Sequence, residues 1–169
     1  MTTHTTTHTV LPIAPHVLAA LRTLDDAGRP CTPYEDPEGG APLRCCLRRS
    51  VPGERIALVS YAPLRRWAAA TGADPGAYDE QGPVFVHAAE CSGPAPESGL
   101  PFAHPGALRT ARRYDAAGRI LGGRVLDLAE DPDAVVGQAL TEAFEDPRTA
   151  LVHVRSAEFG CYLFEVRRP

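Results

Sequence analysis

The C-terminal stretch of residues 150–167 constrains the fold most, because it contains two strand-like runs separated by a short link. The runs are residues 150–155 and residues 161–167, and both are rich in β-branched and aromatic side chains. The link, residues 156–160, ends in a glycine and has a length that closes a β-hairpin. The sequence therefore predicts an antiparallel strand pair at the end of the chain.

The pairing in this hairpin sets which side chains share a face. With residues 156–160 as the loop, Val154 lies opposite Tyr162. Val152 then lies opposite Phe164, so this face is apolar and belongs to a core. The other face carries an imidazole, a cation and a thiol, with Arg155 beside Cys161 and His153 beside Leu163. This polar face is the best candidate for a functional site.

Two further hairpins are predicted upstream. Residues 43–49 alternate between apolar and polar side chains, and the turn at residues 51–54 joins them to an apolar strand at 55–61. Residues 108–114 and 119–126 flank a turn in which Gly118 suits a positive φ. Hairpins therefore dominate the chain, and the sheet they form is antiparallel.

Two amphipathic helices are expected at about residues 15–24 and 132–145. The second begins after Asp131, a good N-cap, and has a proline in its first turn. We predict a single α+β domain over residues 10–169, with both helices packed on the antiparallel sheet, after a disordered tail at residues 1–9. The long connections 63–82 and 91–106 are candidates for a lid.

The charged residues exclude several functions. All 17 cationic residues are arginine, so a Schiff-base lysine, a pyridoxal-phosphate anchor and a phosphate-loop lysine are absent. A net charge of −4 without a large basic cluster is not typical of a nucleic-acid-binding protein. No apolar run has the length of a membrane span and no signal peptide is recognisable, so we expect a cytoplasmic protein with five reduced cysteines.

Three stretches of this chain resemble a known family. They are Gly82-Pro83-Val84-Phe85-Val86-His87 with Cys91; Leu43-Arg44-Cys45-Cys46-Leu47 followed by Pro52-Gly53-Glu54; and Val152-His153-Val154-Arg155-Ser156-Ala157 with Gly160-Cys161-Tyr162. Together they are similar to the bacterial domain of unknown function number 1203. The resemblance covers roughly residues 10–167 and implies a small bacterial domain without implying an activity.

The chain departs from that family pattern at two positions. Ser156 stands where an asparagine is expected, and Leu43 stands where a cysteine often precedes the arginine. If that asparagine or cysteine were catalytic in relatives, this chain would lack it.

The first functional hypothesis is a pocket for a small anionic molecule, without a cofactor. Arg44 and Arg155 would hold the anion, since guanidinium groups bind carboxylates and phosphates through paired hydrogen bonds. The candidate catalytic residues are His153, His87 and Cys161, with histidine moving a proton and Cys161 as nucleophile or packing neighbour. Two further candidate ligand-binding residues are Cys46 and Tyr162.

The alternative hypothesis is a non-catalytic domain, which could form a homodimer through an exposed sheet edge. In that case His153, Arg155 and Cys161 are ordinary side chains on a solvated sheet face. The sequence does not decide whether the protein is an enzyme.

A metal site formed by His87, Cys91, His153 and Cys161 is a weaker interpretation. Residues four apart in one strand are separated by about 13 Å, so the chain would have to turn directly after His87. We therefore predict no metal ligands from the sequence.

Overall fold

The computed structural model describes residues 8–95 and 99–169. Its elements are β1 (Val10–Leu11), α1 (Pro15–Leu21), β2 (Tyr34–Asp36), β3 (Pro42–Leu43), β4 (Arg48–Arg49), β5 (Glu54–Tyr61), α2 (Pro63–Thr71), a 3-10 turn (Gly76–Tyr78), β6 (Gly82–His87), β7 (Leu108–Tyr114), β8 (Ile120–Asp127), α3 (Pro132–Glu145), β9 (Leu151–Ser156) and β10 (Tyr162–Arg167). The predicted α+β class is confirmed.

The strands form two five-stranded sheets where one was predicted. The first sheet has the order β1-β10-β9-β7-β8 and is antiparallel throughout. The second has the order β2-β5-β6-β3-β4 and is mixed, because β3 runs parallel to β6. The predicted hairpin between β7 and β8 is confirmed, and Gly118 in its turn has a φ of 83°.

The predicted hairpin between residues 43–49 and 55–61 is wrong. The chain turns back at residues 44–47, so β3 pairs with β4, while β5 pairs with β2 and β6. The Leu47 N–H donates to Leu43 O at 2.9 Å, and Leu47 has a φ of 57°, which is unfavourable for a residue with a Cβ. Leu47 is buried in the core of the first sheet, and this burial compensates the backbone strain. Alternation alone could not distinguish this apolar turn from a strand.

The predicted register of the C-terminal hairpin is also wrong, by two residues. Val154 pairs with Phe164 and Val152 with Val166, and a bulge lies between Tyr162 and Phe164. The cause is the loop: β10 begins at Tyr162, and the Ser156 N–H donates to Cys161 O at 2.9 Å. A shift of two preserves the apolar face, but the bulge sets Tyr162 opposite Arg155.

The helices cover different sheets. Helix α3 packs its Val136, Ala139, Leu140 and Ala143 into the core of the first sheet, and the predicted N-cap Asp131 accepts from the Ala134 N–H at 3.1 Å. Helix α1 ends at Leu21, three residues earlier than expected, and packs on the second sheet. Helix α2 lies in the connection after β5 and packs Leu64 against Tyr114 and Leu151.

The two sheets meet along β10 and β6. Tyr162 of β10 belongs to the core of the second sheet, where its ring lies 5.3 Å from that of Tyr61. Glu80, just before β6, accepts from Arg112 at 2.7 Å and from Arg155 at 2.9 Å, both in the first sheet. These contacts close one side of a cleft between the sheets.

Most of the predicted tail, residues 1–7, lies outside the described residues, as do residues 96–98 of the predicted lid segment 91–106. His8 is described, and it contacts Thr141 and the ring of Phe144 on α3. In the described ranges no helix has both the length and the apolar character required to cross a bilayer.

Candidate functional site

His153 lies beneath the surface of the first sheet. Its side chain is fully buried, and its ring lies 4.8 Å from that of Tyr114 and 5.1 Å from that of Tyr162. The pKa of His153 is lowered, chiefly by burial, although the neighbouring Glu165 carboxylate acts in the opposite direction. The imidazole is therefore neutral at pH 7, and its Nε2–H donates to Glu165 Oε2 at 3.0 Å. The solvated face of the alternative hypothesis is wrong at this position, because the rings of Tyr114 and Tyr162 pack against the imidazole.

This burial makes stability depend on pH. In the unfolded chain His153 takes up a proton near pH 6.5, whereas in the folded protein it does so only at lower pH. Stability is therefore complete above that range and falls as the pH falls through it, by up to about 1.4 kcal/mol per pH unit. His153→Gln, whose amide also donates to Glu165 but does not titrate, is expected to reduce this slope in urea unfolding between about pH 7.5 and 5.5.

The control for this prediction is His16→Gln, which changes an exposed histidine. It is expected to keep the wild-type slope. An unchanged slope in His153→Gln would contradict the assignment of the pH dependence to His153.

Arg155 does not face Cys161 as predicted, because the bulge places Tyr162 opposite it. Its Nη1 donates to Glu80 Oε1 at 2.9 Å, and its Nε donates to Gly160 O at 2.8 Å. It lines a small recess of about 210 Å³ together with Cys161 and Tyr162. Its charge is therefore partly compensated by Glu80, which Arg112 shares, and this leaves Arg155 less available for an anion than we expected.

A larger cavity of about 460 Å³ lies between the two sheets, and we call it the inter-sheet cleft. The second sheet contributes Arg44, Arg49, Leu58 and Phe85, and the first contributes Arg109 and Leu163. The loop before β7 adds Phe102, and the hairpin loop adds Phe159 and Cys161. The walls are thus apolar and aromatic, with three guanidinium groups and a partly exposed thiol.

Arg44 is the most unusual residue of the inter-sheet cleft. It is 2% exposed, its Nε donates to Tyr162 O at 2.8 Å, and its Nη1 donates to Pro42 O. No carboxylate among the described residues forms an ion pair with it, and burial lowers its pKa to about 10. The guanidinium therefore remains charged at pH 7, although its direct partners are neutral carbonyl groups.

The other two guanidinium groups are held in similar ways. Arg109 is buried and donates to Phe102 O at 2.6 Å and to Leu108 O at 2.7 Å, with Glu158 Oε2 at 3.7 Å. Arg49 is exposed, donates to Gly40 O at 2.8 Å, and lies 5.9 Å from the centre of the Phe102 ring. Three cations and one half-exposed carboxylate give the inter-sheet cleft a positive character.

The structure brings His87 and Cys91 together, but not with His153 and Cys161, the other two residues of the metal site considered from the sequence. His153 and Cys161 belong to the first sheet and its hairpin loop, whereas His87 and Cys91 lie at the end of β6 in the second. Cys45 and Cys46, in the turn between β3 and β4, complete a cluster whose ligand atoms all lie within 4.8 Å of one another. Among the predicted candidates, His87 and Cys46 are therefore neighbours.

The comparison with known families gives one result. The sequence profile described as "Protein of unknown function (DUF1203)" matches residues 40–168, which is more than half of the chain. The chain belongs to the DUF1203 family. No curated protein and no solved structure matches it.

The two positions that we expected to depart from the family pattern, Leu43 and Ser156, lie beside these sites. Leu43 is fully buried and pairs with Phe85, two positions before Cys45. Ser156 lies at the inter-sheet cleft, where its hydroxyl donates to Glu158 Oε2 at 2.8 Å. In this DUF1203 protein, Leu43 therefore serves in packing, and the Ser156 hydroxyl fixes the hairpin loop.

Sequence reasoning missed Arg49 and Cys45 as site residues. The adjacent cysteines 45 and 46 were a usable signal, because neighbouring thiols in a turn can bind the same metal ion. Nothing in the sequence around Arg109 distinguishes it from Arg112 or Arg113, since its role depends on the distant loop that carries Phe102.

Proposed function

We propose that the protein binds a small molecule with one anionic group and an apolar part in the inter-sheet cleft. The observation that carries this proposal is Arg44, a buried charge whose hydrogen bonds within the described part of the chain go to carbonyl groups. A buried charge is costly unless it is paired, so an anionic ligand would complete its environment. Carboxylates and phosphates are the anions that a guanidinium fork fits best.

The walls of the inter-sheet cleft specify the rest of the ligand. Leu58 is 50% exposed and Phe159 is 84% exposed, and both line the cleft together with Phe85 and Phe102. A concave site of this size with apolar walls and a few polar groups is typical of a small-molecule pocket. An aromatic or branched carboxylic acid, or the phosphate ester of an aromatic or branched alcohol or phenol, would cover these side chains.

The setting that we infer is a bacterial cytoplasm. All five cysteines are free thiols, as a reducing compartment keeps them. The charge balance of the chain gives no reason to propose a nucleic-acid partner. The proposal requires no redox cofactor, because arginines and apolar walls suffice for binding.

Thermal denaturation with four probes tests the proposal. Phenyl phosphate and benzoate combine a ring with an anion, inorganic phosphate lacks the ring, and benzyl alcohol lacks the charge. We expect the first two probes to raise the melting temperature more than either of the others. A ligand at a hundred times its dissociation constant adds about 2.7 kcal/mol to the stability of the folded state.

Arg49→Gln and Arg119→Gln form a matched pair for this test. Both remove one exposed positive charge, but only Arg49 lines the inter-sheet cleft. Loss of one charge-assisted hydrogen bond is expected to weaken phenyl phosphate binding about ten- to a hundredfold in Arg49→Gln, measured by calorimetry. Arg119→Gln should bind like the wild type.

Equal weakening in both variants would indicate non-specific charge attraction and would overturn the site assignment. No shift with any of the probes would favour the alternative of a non-catalytic domain. An eight-residue edge strand, β8, with Val125 67% exposed, is the surface through which such a domain would pair with a second copy.

A further inference from the structure

Three segments that are distant in sequence meet at one end of the second sheet. The turn between β3 and β4 supplies Cys45 and Cys46, β6 ends with His87, and the segment after β6 supplies Cys91. The parallel pairing of Leu43 with Phe85 brings the turn beside the end of β6. Cys45 and Cys46 are buried, and His87 and Cys91 are partly buried.

Three of the four ligand atoms in this cluster have separations close to those of a tetrahedral zinc centre, and Cys91 Sγ lies within 4.8 Å of each of them. Cys45 Sγ lies 4.0 Å from Cys46 Sγ, and His87 Nδ1 lies 3.3 Å from Cys45 Sγ and 3.8 Å from Cys46 Sγ. Zinc bonds of about 2.3 Å to sulfur and 2.0 Å to nitrogen require separations of about 3.8 Å between sulfurs and 3.5 Å between sulfur and nitrogen. The three observed separations are thus within about half an ångström of the required values.

His87 is oriented for this role by a carboxylate. Its Nδ1 faces the thiols, and its other ring nitrogen, Nε2, lies 3.2 Å from Glu54 Oε1. Glu54 is itself fixed by Arg48 at 2.6 and 3.0 Å and by the Val51 N–H at 2.8 Å. A carboxylate that accepts the second N–H of a histidine fixes the tautomer that leaves the first nitrogen free to bind metal.

Two groups beside the cluster can stabilise negative charge on sulfur. The His87 backbone N–H donates to Cys45 Sγ at 3.2 Å. Three thiolates and a dication leave one net negative charge, and the Arg48 guanidinium lies next to it.

We propose that Cys45, Cys46, His87 and Cys91 bind one zinc ion through three thiolates and one imidazole. Three soft sulfur ligands and one imidazole select zinc over magnesium, calcium or manganese, which prefer oxygen. Four protein ligands close the coordination sphere, so the site is structural. Its role is to fasten the segment after β6 to the turn between β3 and β4.

Metal content and cobalt substitution test this proposal on the full chain. The protein purified without chelator is expected to contain one zinc per chain. Cobalt(II) that replaces it should show the intense visible absorption of a tetrahedral site and a thiolate-to-cobalt charge-transfer band. Weak absorption typical of six-coordinate cobalt, or protein without stoichiometric metal that also fails to take up added zinc, would overturn the proposal.

Variants identify the ligands. Cys91→Ser is the first choice because Cys91 is only partly buried, and it is expected to lose stoichiometric zinc and the charge-transfer band. Cys31→Ser and Cys161→Ser remove thiols outside the cluster and should retain both. Equal metal loss in all three variants, or a thiol titration that finds Cys45 and Cys46 joined as a disulfide in the metal-free purified protein, would contradict the assignment.

Glu54→Gln tests the orientation of His87 without removing a ligand. Loss of such a carboxylate partner typically weakens metal binding about 10- to 100-fold, which zinc competition with a chromogenic chelator would measure. Glu35→Gln, in the neighbouring strand β2, is the control and should leave zinc affinity unchanged. Unchanged affinity in Glu54→Gln would remove Glu54 from the site.

Discussion

Replacement of Phe164 by alanine is expected to lower the free energy of unfolding by about 3–5 kcal/mol. Phe164 is 1% exposed and packs in the core between the first sheet and helix α3. Truncation removes apolar contacts from a closely packed core, and the cavity that remains cannot collapse fully between a helix and a sheet. Since whole domains are stabilised by only about 5–15 kcal/mol, urea unfolding will detect this change readily.

Phe159→Ala is the matched control in the same hairpin. Phe159 is 84% exposed, so its truncation should change stability by less than about 0.5 kcal/mol. It lines the inter-sheet cleft, however, so it should weaken binding of phenyl phosphate. The reverse result, a large stability loss from Phe159→Ala and a small one from Phe164→Ala, would contradict the register of the hairpin.

Replacement of Glu165 by alanine is expected to cost roughly 3 kcal/mol, at the upper end for a buried polar group left unpaired. Glu165 Oε2 accepts from His153 Nε2 at 3.0 Å, and Oε1 accepts from Arg167 Nε at 2.6 Å. Hydrogen bonds from both residues keep the pKa of Glu165 lowered although burial opposes this. Without the carboxylate, the buried His153 N–H has no acceptor.

Glu142→Ala is the control for this prediction. Its carboxylate pairs with Arg124 on the surface, where both side chains are about half exposed. Exposed ion pairs contribute less than about 1 kcal/mol, so chemical denaturation should show only a small change. Equal losses in the two variants would contradict a buried histidine–carboxylate pair.

Local signals in the sequence predicted the elements well. Helix α3 begins where Asp131 and Pro132 indicate, and β7 and β8 flank the glycine turn at Gly118. These features depend on residues close in sequence, where capping and turn chemistry act directly. The fold class follows from them.

Long-range features could not be predicted. The alternation in residues 43–49 is equally compatible with a strand and with the apolar turn that the structure shows, and only burial against the first sheet decides between them. The hairpin register depended on a bulge at Tyr162, whose ring turns towards the second sheet. The bulge accompanies this tertiary contact of the Tyr162 ring, which no local pattern contains.

The candidate site was predicted only in part, for the same reason. Arg44, Cys46, His87 and Cys161 were identified from residue type, but the parallel pairing of β3 with β6 separates them into two sites. His153 was expected in a polar hollow because its strand was treated as half solvated. The rings of Tyr114 and Tyr162 cover its imidazole, and His153 is a buried partner of Glu165.

Arg44 and Cys45 are consecutive residues in one tight turn, and their side chains contact different sheets. The Arg44 guanidinium reaches Tyr162 O of the first sheet, while Cys45 Sγ lies 3.3 Å from His87 Nδ1 of the second. A metal ion that immobilises this turn would also pre-organise the guanidinium, so an anion would lose less conformational entropy on docking. By thermodynamic reciprocity the anion would then tighten metal binding by the same factor, and the two occupancies would behave as one linked equilibrium.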